Sequence, residues 1–148
     1  MESPAPELTT FGSVMRFALE LEAATAAFYE AAAKELEPDG PSTLARELAA
    51  QHASRQKLLE RTRQQKLNEV VLEPISGLDG KKYVFDAAPA PRDRVLPRAV
   101  ALETIAAQFF VDSGEVAKAL LTEASRTFRK LAEENSRNSR RLKEFARV

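Results

Sequence analysis

The stretch VMRFALELEAATAAFYE, residues 14–30, returns later in the chain as VLPRAVALETIAAQFFV, residues 95–111. From Val14 to Tyr29 the two copies share six identities over sixteen ungapped positions: Val14 with Val95, Ala18 with Ala99, Leu21 with Leu102, Glu22 with Glu103, Ala26 with Ala107 and Phe28 with Phe109. Each copy sets one glutamate six residues before an aromatic pair, on a segment whose apolar residues recur at helical spacing. Steps of three and four trace one face of each helix. The first face reads Phe11, Met15, Ala18, Glu22, Thr25, Tyr29, Ala32, and the second reads Leu96, Ala99, Glu103, Ala106, Phe110. Both glutamates therefore lie on inward stripes. A buried carboxylate needs a cation, a metal or several hydrogen-bond donors, so the rest of the chain is searched for these.

A chain of 148 residues makes one domain able to bury a sizeable core. The absence of cysteine excludes disulfides, zinc knuckles and thiol chemistry. No signal peptide or apolar span is evident, so a cytoplasmic location and no membrane association are expected. Net charge is zero, but it is unevenly spread. Residues 1–40 carry eight acids and two bases, residues 41–66 two acids and six bases, and the last 25 residues three acids and eight bases. This pattern reads as complementary packing of acidic on basic helices, with no nucleic-acid partner. No Gly-rich phosphate loop, nucleophile elbow or Ser/His/Asp set is present.

The chain divides into a helical hairpin over 10–67, a crossover over 68–94 and a second hairpin over 95–146. Residues 1–7 read as a mobile arm. Thr9 or Thr10 caps the first helix, which stops before Pro38-Asp39-Gly40-Pro41, and Ser42 or Thr43 caps the second. Asp79-Gly80 reads as a turn, of a small hairpin if the flanks pair. Pro97 falls near the first turn of helix three, which ends between Gly114 and Leu121. Helix two carries the stripe Leu44, Leu48, His52, Arg55, Leu59. Helix four, from Thr122 or Ala124, carries Phe128, Leu131, Asn135, Asn138, Leu142, Phe145. Aligning the shared Arg-x-Leu-Ala (Arg46 with Arg129) matches His52 to Asn135 and Arg55 to Asn138, so the whole hairpin is repeated.

Two helical hairpins joined by a long crossover, each opening with a glutamate six residues before an aromatic pair, resemble the rubrerythrin-like branch of the ferritin-like superfamily. The resemblance covers nearly the whole chain and implies an all-α antiparallel four-helix bundle. It also implies two iron or manganese ions, held by one Glu from each of two helices and a Glu-x-x-His pair from each of the others. Glu22 and Glu103 match the single glutamates. The other positions depart from the pattern: helix two has His52-x-x-Arg55, helix four has Asn135-x-x-Asn138, and shifting the register to make His52 the expected histidine puts Ala49 where Glu belongs. Arginine repels a metal and asparagine is a weak ligand.

The degenerate layer Glu22, His52, Arg55, Glu103, Asn135 and Asn138 is thus expected to hold ion pairs and hydrogen bonds, with no cofactor and no catalytic residues. With His52 neutral the layer sums to minus one, and with His52 protonated to zero. The alternative is one iron, zinc or manganese ion on Glu22, His52 and Glu103, in a metal-dependent oxidoreductase. A third possibility is an anion received by an unpaired Arg55. Tyr29 reads as core packing, and Glu20, Glu30, Asp112 and Glu115 as solvated. The expected assembly is a homodimer, with Val70, Val71, Leu72 and Ile75 as candidate contacts unless they cover their own core, and a protein partner is possible.

Overall fold

The helix α1 spans Phe11–Glu35. Thr10 caps it: its hydroxyl accepts the Ser13 N–H at 3.1 Å, and the Ser13 hydroxyl accepts the Thr10 N–H in return. The computed structural model describes residues 2–66, 73–118 and 122–146. Three more long helices follow, α2 over Gly40–Lys66, α3 over Arg92–Ala117 and α4 over Thr122–Ala146, and no strand is formed among the described residues. The regular structure of the described residues is all helical, as the 3.6-residue periodicity predicts.

The helix starts differ from expectation in two places. Ser42 does not cap α2, which begins at Gly40, because Pro41 has no N–H to leave unpaired in a first turn. Asp39 and Gly40 take the left-handed conformation (φ 67° and 28°) that reverses the chain, and the Ser42 hydroxyl instead donates to the Ala33 carbonyl at 2.7 Å. Helix α3 starts at Arg92, with Pro91 as its cap, so Pro97 lies inside the helix beyond its first turn. Gly114 is likewise inside α3, where its hydrogen side chain faces Arg129 and Phe128 of α4.

Contacts fix the helix directions. Along α1, Phe17 meets Phe109 and Tyr29 meets Glu103, so α1 and α3 are antiparallel. Arg55 reaches Asn135 and Gln51 reaches Asn138, which makes α2 and α4 antiparallel too. Helices α2 and α3 consequently run the same way, and their connection must return along the bundle's length. It does so on the α1–α3 face. Thr10 bridges Pro74, Phe17 packs on Tyr83 and Phe85, and Arg92 pairs with Glu37 at 2.5 Å.

The expected small hairpin at Asp79-Gly80 is not formed. Asp79 caps a 3₁₀ turn over Gly80–Tyr83, placing Tyr83 in the core with its hydroxyl donating to Asp112 at 2.5 Å. Asp112 is therefore engaged, not merely solvated. Residues 2–8 are also tied down. The Ser3 N–H donates to the Phe85 carbonyl at 2.7 Å, Leu8 is buried, and a Cβ on Gly80 would lie 1.9 Å from the Pro6 carbonyl oxygen. Ile75 packs against its own core, whereas Leu67, Val70, Val71 and Leu72 lie outside the described residues.

Candidate functional site

Helical spacing brings Glu22, His52, Glu103 and Asn135 to one level of the bundle, and Arg55 and Asn138 lie one turn along their helices. All six are buried, Glu22, Glu103 and Asn135 completely. The inward stripes read from the sequence converge as expected.

His52 lies between the two carboxylates. Its Nδ1 is 2.6 Å from Glu22 Oε1 and its Nε2 is 2.7 Å from Glu103 Oε2. A neutral imidazole has one N–H donor, but both ring nitrogens here face carboxylate oxygens, so with both carboxylates ionised the ring between them is the imidazolium. The electrostatics agree. Burial pulls the imidazole pKa down, but the Glu103 charge and hydrogen bonds to Glu103 and Glu22 overcome it, raising the value from 6.5 to about 9. Burial likewise pushes the Glu103 carboxyl up, yet the His52 charge and donors from His52, Tyr29 and Asn135 hold it down at about 2.

Arg55 supplies the second cation. Its Nη2 donates to Glu22 Oε2 at 2.9 Å and to Asn135 Oδ1 at 2.8 Å, and its guanidinium carbon lies 5.4 Å from the centre of the Phe110 ring. Arg55 Nη1 stands 3.7 Å from Glu134 Oε1, an ion-pair distance without a hydrogen bond, while Nε has no hydrogen-bond partner. The Arg55 charge is thus paired with Glu22, while Nε and Nη1 keep unused donors. Two carboxylates, one guanidinium and one imidazolium cancel within the layer.

Glu103 gathers the most donors. Tyr29 Oη donates to Oε2 at 2.6 Å, Asn135 Nδ2 donates to Oε1 at 2.6 Å, and Asn138 Nδ2 reaches Oε1 at 3.2 Å. Asn138 also donates to Gln51 at 2.6 Å, closing the layer toward the surface. Tyr29 therefore does more than pack. Its ring stacks on His52 at 5.6 Å, and burial together with Glu103 raises its pKa well above 10, so the phenol stays a donor. The signal for this role was its place on the inward stripe, two turns beyond Glu22. Gln51 and Glu134 fall beside the stripes, and their spacing carries no such signal.

The donor set does not fit a dinuclear centre. The imidazolium fills the space between the carboxylates, and a guanidinium occupies the free edge of Glu22. Among the described residues no group of three His, Asp or Glu side chains is placed to hold a metal ion. A single ion on Glu22, His52 and Glu103 would have to replace a proton of the imidazolium and push the ring off one carboxylate. No helix among the described residues is long and apolar enough to cross a membrane. No family model matches the chain, and no curated protein or solved structure matches it significantly.

Proposed function

We propose that this chain is a ferritin-like bundle that works without a metal centre, as a non-enzymatic subunit that dimerises or binds a protein partner. The buried layer replaces the ions that the resemblance implies. One observation carries this reading: each His52 ring nitrogen is within 2.7 Å of a carboxylate oxygen, so a proton stands on each side of the ring where a metal would stand on one. Arg55 completes the neutralisation of Glu22 that a second ion would have supplied. A centre already neutral and hydrogen-bonded offers a substrate no open ligand position and no unpaired base.

The second reading is a single iron, zinc or manganese ion on Glu22, His52 and Glu103. It rests on both carboxylates reaching the one imidazole, and it requires the ring to leave one of them. Elemental mass spectrometry of untagged protein, purified without chelator and again after incubation with ferrous iron or manganese, separates the two. The expected result is no stoichiometric metal in either sample. Near-stoichiometric metal that falls in His52→Ala overturns the metal-free reading.

A further inference from the structure

The outer groove between α3 and α4 differs in character from the buried layer beneath it. Two adjoining hollows of about 410 and 400 Å³ share Val111, Ser136 and Arg140 and form one channel. Its floor is made of small side chains, Ala107, Ala132, Ser136 and Ser139, which leave room above the helix backbones. Val111 stands in its middle with 48% of its surface exposed, the one large hydrophobic residue so exposed among the described residues. Solvent gains nothing from this placement, whereas an apolar side chain docked between the helices would cover it.

Charge narrows the occupant. Arg129, Arg137, Arg140 and Lys143 of α4 line the channel, and among the described residues none of them has an ion-pair partner. Arg141, next to Arg140 on α4 but turned toward α2, is instead engaged by Glu47. Glu115 and Glu133 line the hollow that contains Arg129, whereas the acid at the other end, Glu103, is fully buried beneath the floor and held by His52, so the exposed lining is basic at the Lys143 end and mixed at the Arg129 end. A phosphate backbone, negative along its whole length, would meet repulsion at the mixed end. A protein helix can match both ends. From Arg129 to Lys143 the channel extends about 21 Å at a rise of ~1.5 Å per residue, the length of roughly four helical turns.

We propose that the α3–α4 groove docks an acidic amphipathic helix of a protein partner. A stripe of aliphatic side chains lies on Val111 and the small-residue floor, and acids on its flank pair with Arg137, Arg140 and Lys143. This inference deepens the partner-binding half of the proposed function by naming its surface. It does not depend on the metal content of the buried layer, which elemental analysis tests separately.

The probe is a synthetic 16-residue helical peptide with leucines along one stripe, glutamates flanking that stripe over the turns that face Arg137, Arg140 and Lys143, and lysines over the turn that faces Glu115 and Glu133. Two controls accompany it: a peptide of the same composition with the leucines scattered around the helix, and a single-stranded oligonucleotide of similar charge. Amide shifts of the ¹⁵N-labelled chain are followed during each titration. The expected result is saturable binding of the striped peptide, with shifts centred on Val111, Ala107, Ser136 and Arg140. The scattered peptide and the oligonucleotide bind at least about tenfold more weakly. Val111→Asp and Arg140→Glu, both surface changes, each weaken the striped complex by about tenfold or more without altering thermal unfolding. Absence of binding, shifts centred on another face, equal affinity for either control, or closure of the groove by self-association at the working concentration overturns the proposal.

Discussion

Raising the pH should loosen this bundle in a window set by one side chain. The His52 pKa is 6.5 when free and about 9 in the fold. A group whose pKa is raised by folding contributes stability that is complete below its unfolded value and is lost as pH rises through its folded value. The contribution is thus whole below pH 6.5 and gone a little above pH 9. At ~1.36 kcal/mol per pH unit, the span from 6.5 to about 9 amounts to roughly 3 kcal/mol. Urea unfolding at half-unit steps from pH 6 to 10 should show this loss. The chain has a single histidine, so one imidazole resonance reports the titration directly by NMR. In His52→Gln the loss between pH 6.5 and 9 should vanish. An imidazole midpoint near 6.5 in the wild type, or an unchanged slope in His52→Gln, would refute the assignment of His52 as a buried cation between two carboxylates.

Three further outcomes follow from the same contacts. Tyr29→Phe keeps the ring stacked on His52 but removes a donor to the ionised Glu103, and should cost about 1.5–3 kcal/mol in denaturant unfolding. Gly80→Ala drives a methyl into the Pro6 carbonyl and should cost about 1–3 kcal/mol, with faster hydrogen exchange at the Ser3 amide as the N-terminal segment lifts. Gly114→Ala should act in the opposite direction. The added methyl meets Arg129 Cγ at 3.4 Å and Phe128 Cβ at 3.6 Å, ordinary contact distances, so the gain in helix propensity of roughly 1 kcal/mol should appear as a higher melting temperature.

The helices and their inward faces were legible because 3.6-residue periodicity records burial directly, and every residue expected in the buried layer is in it. The partners were less legible. Spacing puts Tyr29 on the inner stripe, but only the antiparallel placement of α1 against α3 brings its hydroxyl to Glu103. The protonation of His52 was open in the sequence because it depends on both ring nitrogens finding carboxylates, a fact about three helices at once. The crossover misled for a different reason. Asp79-Gly80 carries turn chemistry that serves a hairpin or a 3₁₀ turn equally well, and the choice falls to Tyr83 reaching the core between Phe17 and Phe109. The N-terminal segment looked free because Pro and acidic residues carry no periodic signal, yet its backbone finds partners in Phe85.

A buried layer of charges is an expensive way to hold four helices together, since an apolar layer of similar volume is commonly as stable or more so by about 1–4 kcal/mol. Its value lies in direction. The two hairpins resemble each other in sequence, and an apolar interior would let helices slide by a turn or let one hairpin pair with its counterpart in another molecule. We expect the layer to exclude these exchanges, because its halves are not equivalent. Glu22 needs His52 and Arg55, whereas Glu103 needs His52, Tyr29, Asn135 and Asn138. Replacing Glu22, His52, Glu103 and Asn135 by Leu, Arg55 by Met and Tyr29 by Phe should therefore leave a bundle at least as stable as the wild type, while size-exclusion chromatography and amide NMR reveal more than one assembly or packing. A variant of undiminished stability with one assembly state and one set of resonances would show that the apolar stripes alone choose the pairing, and would leave the charged layer without a structural reason to exist.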